Sequence, residues 1–203
     1  STDGGKTDEI VQSYGGRIRS FSKENGGVAS ALNLGVREMT GEYFSWLSHD
    51  DVYYPDKIQA QVDFLSGLDN REVVLYSDHD VIDENSRTIG RCTYPHHEPQ
   101  RFLYEVLFHS VVHGCSTLVP KACFQAAGLF DETLKTTQDY HLWVRMAKRF
   151  PFIHLREVLL QSRQHAGQGS LTLGHLDDID AFYVWCLREV PPDAIPGLYG
   201  MAP

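Results

Sequence analysis

The sequence predicts a single α/β domain. Its 203 residues are enough for one domain that buries about 70% of the surface of the unfolded chain. Short apolar stretches rich in aromatic and β-branched residues alternate with longer stretches whose apolar residues recur at helical spacing. Acidic residues directly follow the strand-like stretches, as they do at the ligand-binding edge of an α/β sheet. We predict one domain over residues 1–190 and a proline-containing tail, 191–203, with little regular structure.

The first half of the chain is predicted to contain three helices, three strands and a hairpin. The helices cover residues 6–14, 28–39 and a stretch that begins at Pro55, and the strands cover 17–22, 43–47 and 72–77. The second helix is expected to bury Val28, Ala31, Leu32, Val36 and Met39, and the third to bury Ile58, Val62, Leu65 and Leu68. Turn residues at 83–86 predict a hairpin over 81–92.

The second half is predicted to continue the alternation of helices and strands. Helices are expected over 100–109, from Pro120 to Gly128, over 138–150 and over 175–190, and strands over 111–119 and 152–160. In the helix that begins at Gln138, apolar spacing places Asp139 on the first turn.

The formal net charge of −9 argues against nucleic acid as the main partner, because phosphate binding normally leaves a basic footprint. No signal peptide is recognisable, and no apolar run approaches the roughly 18 residues of a membrane-spanning helix. Four cysteines lack CxxC pairing or metal-knuckle spacing. They are typical of reduced, mostly buried thiols, which predicts a soluble cytoplasmic protein.

Asp50 and Asp51 end the apolar stretch that begins at Tyr43. Two adjacent carboxylates at the carboxyl end of a strand suggest a divalent-cation site that holds a phosphorylated ligand. The alternative is structural, with Asp51 capping the following helix and Asp50 solvated in a loop. From these residues alone the two readings are equally favoured.

Asp139 at a helix start and His165 in a late polar loop complete the candidate chemistry. A metal-assisted group transfer needs acids, sometimes with an imidazole, to hold the cation, and a separate carboxylate to take a proton. The structural alternative for Asp139 is dipole stabilisation of the helix, which would also lower the pKa of its carboxyl group. His109 and His113 are expected to be structural, and Asp78 and Asp80 to cap a turn, with a second ligand site as the alternative.

Stretches spread over most of the chain resemble the motifs of family 2 glycosyltransferases, in the family's order. Residues 1–4 resemble the end of its DGSTD loop, and residues 23–35 resemble its NxGxaxArNxG segment. Residues 41–51, GEYFSWLSHDD, are similar to its strand and DxD metal motif. Residues 128–132 and 138–145 are similar to its G.FDE and ED.dlw.R motifs.

This resemblance implies an α/β domain of the GT-A type, with a mixed sheet flanked by helices. It further implies an inverting glycosyltransferase that moves a sugar from a nucleotide diphosphate to the hydroxyl of a glycan or glycolipid acceptor in bacterial surface-polysaccharide synthesis. Asp50, and with it His165, would bind Mg²⁺ or Mn²⁺, and Asp139 would be the catalytic base. Donor-binding residues would be Asp3, Asn25, Asn33, His49 and Asp51. Peripheral association with the inner face of the membrane is compatible with such acceptors.

Three departures from the family pattern leave alternatives open. Ser48 stands where the first acid of the DxD motif is expected, and Gln138 replaces the Glu that often precedes the base. The family's first strand–helix–strand unit is not found before Ser1, which suggests a nucleotide pocket truncated at its amino-terminal side. A non-catalytic nucleotide-sugar-binding relative is therefore the main alternative, and a metal-dependent phosphohydrolase built on His49-Asp50 is a weaker one. The QxxRW signature of processive synthases is not found after Asp139, which favours single sugar addition.

Overall fold

A computed structural model describes residues 4–95, 98–109, 112–168 and 173–191. The helices are α1 (Lys6–Ser13), α2 (Gly27–Glu38), α3 (Lys57–Ser66), α4 (Phe102–His109), α5 (Lys121–Ala127), α6 (Gln138–Ala147) and α7 (Leu173–Glu189). The strands are β1 (Tyr43–Phe44), β2 (Val52–Tyr53), β3 (Val74–Ile82), β4 (Thr88–Cys92), β5 (Val119–Pro120) and β6 (Phe152–Arg163). The alternation of helices and strands predicted from the sequence is confirmed.

The sheet is mixed, as predicted. Its four strands run in the order β2–β6–β3–β4, and β1 pairs separately with β5. The central strands β3 and β6 are parallel, whereas β2–β6 and β3–β4 are antiparallel. The predicted hairpin is the β3–β4 connection, where Ser86 adopts a left-handed backbone conformation with φ 63°.

Helices α4, α5, α6 and α7 contribute to a hydrophobic core centred on Trp143, which is 1% exposed. Phe102 and Phe152 stack in this core with their ring centroids 4.0 Å apart. The apolar positions of α6 therefore face inward as their spacing predicts, and they carry Asp139 inward with them because it lies one turn before Trp143.

Three strand predictions are wrong in extent. Residues 17–22 are a short 3-10 turn followed by irregular backbone, because no described strand lies alongside to accept their hydrogen bonds. The strand predicted over 43–47 is only the two residues of β1. Of the strand predicted over 111–119, the described residues 112–119 contain a 3-10 turn, Gly114–Ser116, and only the first residue of β5. In the described part of 111–119 the apolar residues are buried against neighbouring elements, whereas residues 17–22 are exposed, with Ile18 43% and Phe21 48% exposed.

In two helices, α2 and α3, the buried side chains differ from those predicted. In α2 the buried side chains include Ala29, Ser30 and Asn33, whereas Val28 is exposed. In α3 the fully buried side chains are Lys57 and Gln61, while Ile58 and Val62 are more than a third exposed. Tertiary hydrogen-bond acceptors, described below, override the apolar pattern of α3.

Asp78 and Asp80 lie inside β3 and do not cap a turn. The Asp78 carboxylate contacts His154 at 2.8 Å and accepts from the Tyr94 backbone N–H at 2.9 Å. The Asp80 carboxylate accepts from Arg91 and from the Tyr54 hydroxyl, and the hydrogen bond from Arg91 holds the pKa of Asp80 below its usual value. Both acids are thus engaged in pairing within the sheet.

Candidate functional site

A pocket of about 580 Å³ opens where the acidic segment, residues 48–51, meets the Gly114–Ser116 turn, the start of α6 and the loop after β6. The pocket brings together five residues proposed for the site from the sequence, namely His49, Asp50, Asp51, Asp139 and His165. They come from segments up to 116 positions apart in the chain, and only the tertiary fold joins them.

The β2–β6 pairing positions the two adjacent acids. Val52 pairs with Gln161 and Tyr53 with Leu160, which places Asp51 beside the end of β6. There the Arg163 backbone N–H donates to Asp51 Oδ1 at 2.9 Å, and its guanidinium Nε donates to the Asp50 carbonyl oxygen at 2.9 Å. The same guanidinium reaches the β3–β4 turn through the Asp83 carbonyl at 2.8 Å. Arg163 therefore fastens the acidic segment to the rim of the sheet.

Asp50 and His165 form one pair of side chains in the pocket whose chemistry suits a divalent cation. Asp50 Oδ2 lies 3.1 Å from His165 Nε2, and both side chains are partly exposed. The Gly167 N–H donates to His165 Nδ1 at 3.2 Å, so the neutral ring carries its proton on Nε2 and donates it to Asp50. A carboxylate and an imidazole at this separation fit a shared divalent cation. Binding through Nε2 requires the proton to move to Nδ1 and the Gly167 amide to turn away.

Asp139 faces the same pocket from the first turn of α6 and is 9% exposed. Burial raises the pKa of its carboxyl group to about 7, opposed only in part by hydrogen bonds from backbone N–H groups, among them that of Tyr140 at 3.1 Å. The expectation that the helix dipole lowers this pKa is wrong, because the cost of desolvating the carboxylate is larger. A carboxyl group that titrates near neutral pH suits a general base.

His113 and Cys115 reach the pocket from the Gly114–Ser116 turn and its flank. His113 Nε2 lies 3.9 Å from Asp51 Oδ2 and 3.0 Å from Ser162 Oγ, and Ser48 N–H donates to Cys115 Sγ at 3.3 Å. Ligand-type atoms of Asp51, His113 and Cys115 lie within 4.8 Å of one another. The Cys115 N–H donates to His113 Nδ1 at 3.2 Å, so the proton of the neutral imidazole is on Nε2 and faces these oxygens. His113 and Cys115 thus have hydrogen-bond partners of their own in Ser162 and Ser48, and His113 faces Asp51 at a distance too long for a hydrogen bond.

Sequence reasoning missed this contribution of His113, which was expected to be structural. The available signal was Gly114, because a glycine inside a strand-like stretch marks a close approach of another group. A Cβ at Gly114 would lie 2.1 Å from Cζ3 of Trp46, so the turn and the acidic segment are in direct contact there.

The two asparagines proposed for donor binding lie elsewhere. Asn33 is 1% exposed; its Nδ2 donates to the Phe130 carbonyl at 2.9 Å and to Glu132 at 2.8 Å, and its Oδ1 accepts from the Phe130 N–H at 2.9 Å. Asn25 accepts from the Gly27 N–H at 3.1 Å at the start of α2. Neither is among the pocket-lining residues that the structure describes, and Asp3 falls outside those residues. Donor binding by Asn25 and Asn33 stays a prediction, and the contacts of Asn33 in the structure are those of a residue that supports the fold.

Asn33→Ala is expected to destabilise the fold by about 2–3 kcal/mol, because the buried Phe130 backbone groups lose their partners. Chemical denaturation measures this effect. Asn25→Ala, at an exposed turn, is the matched control and should change stability by less than about 1 kcal/mol. An unchanged unfolding free energy for Asn33→Ala, with weakened binding of a nucleotide sugar, would instead restore Asn33 to the donor site.

A family model described as glycosyl transferase family 2 matches residues 1–124. The chain belongs to this family. It is 40% identical over 205 residues to an uncharacterised glycosyltransferase of Rickettsia conorii, an alignment that covers 98% of this chain and 34% of the relative. It is 32% identical over 204 residues to the amylovoran biosynthesis glycosyltransferase AmsB of Erwinia amylovora, covering 93% of this chain and 65% of AmsB.

Solved structures extend the comparison to the fold of this family 2 domain. S. aureus TarS, in a crystal structure with UDP-GlcNAc, matches with a TM-score of 0.63 over 91% of this chain and 60% of the TarS chain. At 16% sequence identity the likeness concerns the fold, and it confirms the GT-A architecture. The chain spans about a third of the Rickettsia relative and about two thirds of AmsB. No helix in the described ranges is long and apolar enough to cross a bilayer.

Proposed function

We propose that this domain transfers a sugar from a nucleotide diphosphate to an acceptor hydroxyl, with inversion at the anomeric carbon. One observation carries the proposal: a buried carboxyl group with a pKa near 7, Asp139, shares a pocket with a carboxylate–imidazole pair, Asp50 and His165. General-base catalysis and charge neutralisation of a leaving diphosphate are the two requirements of this displacement.

Asp139 takes the proton of the acceptor hydroxyl while the oxygen of that hydroxyl attacks the anomeric carbon. The bond from that carbon to the diphosphate breaks on the opposite face, and the nucleoside diphosphate leaves with the electron pair. Because burial raises the pKa of Asp139 to about 7, its carboxyl group can change charge near neutral pH, as a general base must.

Asp50 and His165 are the residues that would hold the cation. A bound Mg²⁺ or Mn²⁺ would neutralise charge on the diphosphate and make it a better leaving group. Asp51, held by the Arg163 backbone and faced by His113, keeps the segment that carries Asp50 in place. His49, whose side chain is 95% exposed, stands at the pocket mouth as a donor contact.

The relatives support the choice of substrates. The TarS structure contains UDP-GlcNAc, and AmsB is named for amylovoran biosynthesis. We propose a nucleotide-sugar donor and a glycan or glycolipid acceptor in surface-polysaccharide synthesis, with the protein acting in the cytoplasm or at the inner face of the membrane.

Asp50→Asn is expected to weaken Mn²⁺ binding by about tenfold or more, because it removes the carboxylate charge on the cation. Calorimetry of the full-length protein with Mn²⁺ alone, and then with UDP-GlcNAc and other UDP-sugars, measures metal and donor binding separately. Asp63→Asn, an exposed acid on α3, is the matched control and should bind Mn²⁺ as the unmodified protein does.

Two results would count against the proposal. One is donor binding of equal affinity in the presence of Mn²⁺, of Mg²⁺ and of a chelator. That result would mean that no cation takes part in donor binding. The other is tight donor binding without transfer to any acceptor in a broad screen of glycans, which favours a non-catalytic relative.

A further inference from the structure

Lys57 is the most deeply buried cation in the described part of the chain, with a relative exposure of 0%. It lies at the start of α3, behind the wall of the pocket, and the mechanism above gives it no role. Burying an ammonium group without compensation is costly, so its contacts show what the fold gains from keeping it there.

The Lys57 ammonium has three oxygen acceptors. Its Nζ donates to Ser45 Oγ at 3.1 Å, to Gln61 Oε1 at 2.9 Å and to the Thr117 carbonyl at 3.4 Å. The protonated amine has three N–H donors, so each acceptor can be matched by one of them. The Tyr53 ring lies beneath the charge, with its centroid 4.3 Å from Nζ.

Two of these acceptors, Ser45 and Thr117, belong to segments that lead into the pocket, and the third, Gln61, lies one turn along α3 itself. Ser45 precedes the acidic segment by three residues, and Thr117 directly follows the Gly114–Ser116 turn. One turn along α3, Gln61 Nε2 donates to the Ser116 carbonyl at 3.0 Å, which strengthens the attachment to the second segment. Since β1 ends at Phe44, no strand pairing holds residues 45–48. Side-chain hydrogen bonds hold them: Ser45 Oγ contacts the Tyr53 hydroxyl at 2.8 Å and the Thr117 carbonyl at 3.3 Å, Ser48 N–H donates to Cys115 Sγ, and Lys57 adds the contact from α3.

Neutral groups alone surround this charge in the described ranges, where no carboxylate forms an ion pair with Lys57. The titratable groups facing it are the Tyr53 phenol, whose pKa is raised by burial, and the Cys115 thiol, whose pKa burial raises to about 12. Desolvation lowers the pKa of Lys57 to about 8. The charge state of Lys57 therefore changes within an accessible pH range in which these two neighbours stay neutral.

We propose that Lys57 is a positioning residue: its ammonium ties the segment before Asp50 to the Gly114–Ser116 turn and so sets the geometry of the donor site. The effect on catalysis rests on the proposed glycosyl transfer, whereas the effect on the segment does not. The side chain acts through Ser45 and Thr117 and touches no substrate.

Lys57→Met removes the charge and its three hydrogen bonds while nearly preserving length. Hydrogen exchange in the full-length protein at pH 7 is expected to show about tenfold less protection of the backbone amides of residues 45–51. Gln59→Met, on the exposed face of the same helix, is the matched control and should leave this exchange unchanged. This measurement needs no substrate, so it tests the inference even if the proposed function fails.

A pH series distinguishes positioning from general stabilisation. Above about pH 8 the neutral amine has two donors for three acceptors, so kcat/KM for UDP release from UDP-GlcNAc with Mg²⁺ should fall about fivefold, mainly through KM. Stability should move the other way. The folded state loses this proton near pH 8 and the unfolded state near 10.5, so the unfolded state binds more protons between them and folding becomes more favourable as pH rises.

Gln61→Glu supplies a second variant that keeps Lys57. A carboxylate beside the ammonium favours its charged form, so the alkaline fall in kcat/KM should move to higher pH. The midpoint of that fall does not depend on how much protein is folded. The inference is overturned if Lys57→Met leaves both the amide exchange of residues 45–51 and kcat/KM within twofold of the unmodified protein. It is also overturned if Gln61→Glu does not change the pH midpoint of the alkaline fall in kcat/KM. Absence of nucleoside-diphosphate release by the unmodified protein from every nucleotide sugar tested would instead count against the proposed function.

Discussion

Asp139→Asn is expected to lower kcat/KM for sugar transfer by about 10²–10⁴-fold while the protein stays folded. The substitution keeps the shape of the side chain but removes the base that accepts the hydroxyl proton. Binding of a nucleotide sugar and of Mn²⁺ should stay within a few fold, since the proposed cation ligands are Asp50 and His165, which contact each other at 3.1 Å. Single-turnover transfer, together with calorimetric donor binding, separates the loss of chemistry from a loss of affinity.

The pH dependence provides an independent check on Asp139. Because burial raises the pKa of its carboxyl group to about 7, kcat/KM of the unmodified protein should fall tenfold per pH unit below that value. Between about pH 4 and 7 the folded state binds the Asp139 proton and the unfolded state does not, so the contribution of this carboxyl group to stability falls as pH rises. Asp139→Asn should lack this contribution and the acid fall in kcat/KM, so the difference in unfolding free energy between the two proteins should change with pH over that window.

Asp180→Asn, at an exposed position of α7, is the matched control for the loss of one carboxylate. It should retain the activity and pH profile of the unmodified protein. Transfer by Asp139→Asn at more than about a tenth of the normal rate would show that another group, or water, accepts the proton.

Gly114→Ala is expected to disrupt the pocket although it adds only one methyl group. The new Cβ would lie 2.1 Å from Trp46 Cζ3 and 2.5 Å from Cε3, far inside van der Waals contact. Trp46 packs edge-on against Phe130, with centroids 6.3 Å apart, so the indole has a packed neighbour on its other side. Either the acidic segment or the turn must move. We expect destabilisation of about 1–3 kcal/mol and a loss of kcat/KM of at least tenfold.

Thermal unfolding and donor-dependent turnover measure these two effects of Gly114→Ala. Gly16→Ala is the matched control, because its Cβ would have no atom within 4 Å and its backbone conformation is open to alanine. If Gly114→Ala unfolds at the same temperature as the unmodified protein and transfers sugar at the same rate, Trp46 can shift without affecting the fold or the pocket.

Much of the fold follows from local pattern. The spacing of apolar residues in α6 places Trp143 in the core and Asp139 one turn earlier on the same side, so both the helix and the inward position of its acid are readable from sequence. The hairpin between β3 and β4 likewise follows from its turn residues. The strand predicted over 17–22 does not form, because a strand needs a neighbouring strand to pair with and the local sequence pattern does not show whether one is present.

The sequence by itself determined the α/β class, the positions of most helices, and the acids that end the Tyr43 stretch and begin α6. Tertiary structure alone decided that Asp50 meets His165, that His113 faces Asp51 and that α3 buries Lys57 in place of Ile58. The physical reason is that these outcomes depend on groups distant in the chain. Oxygen acceptors on other segments and on α3 itself make Lys57 the residue that α3 buries. Likewise, desolvation by the surrounding fold outweighs the helix dipole and raises the pKa of Asp139.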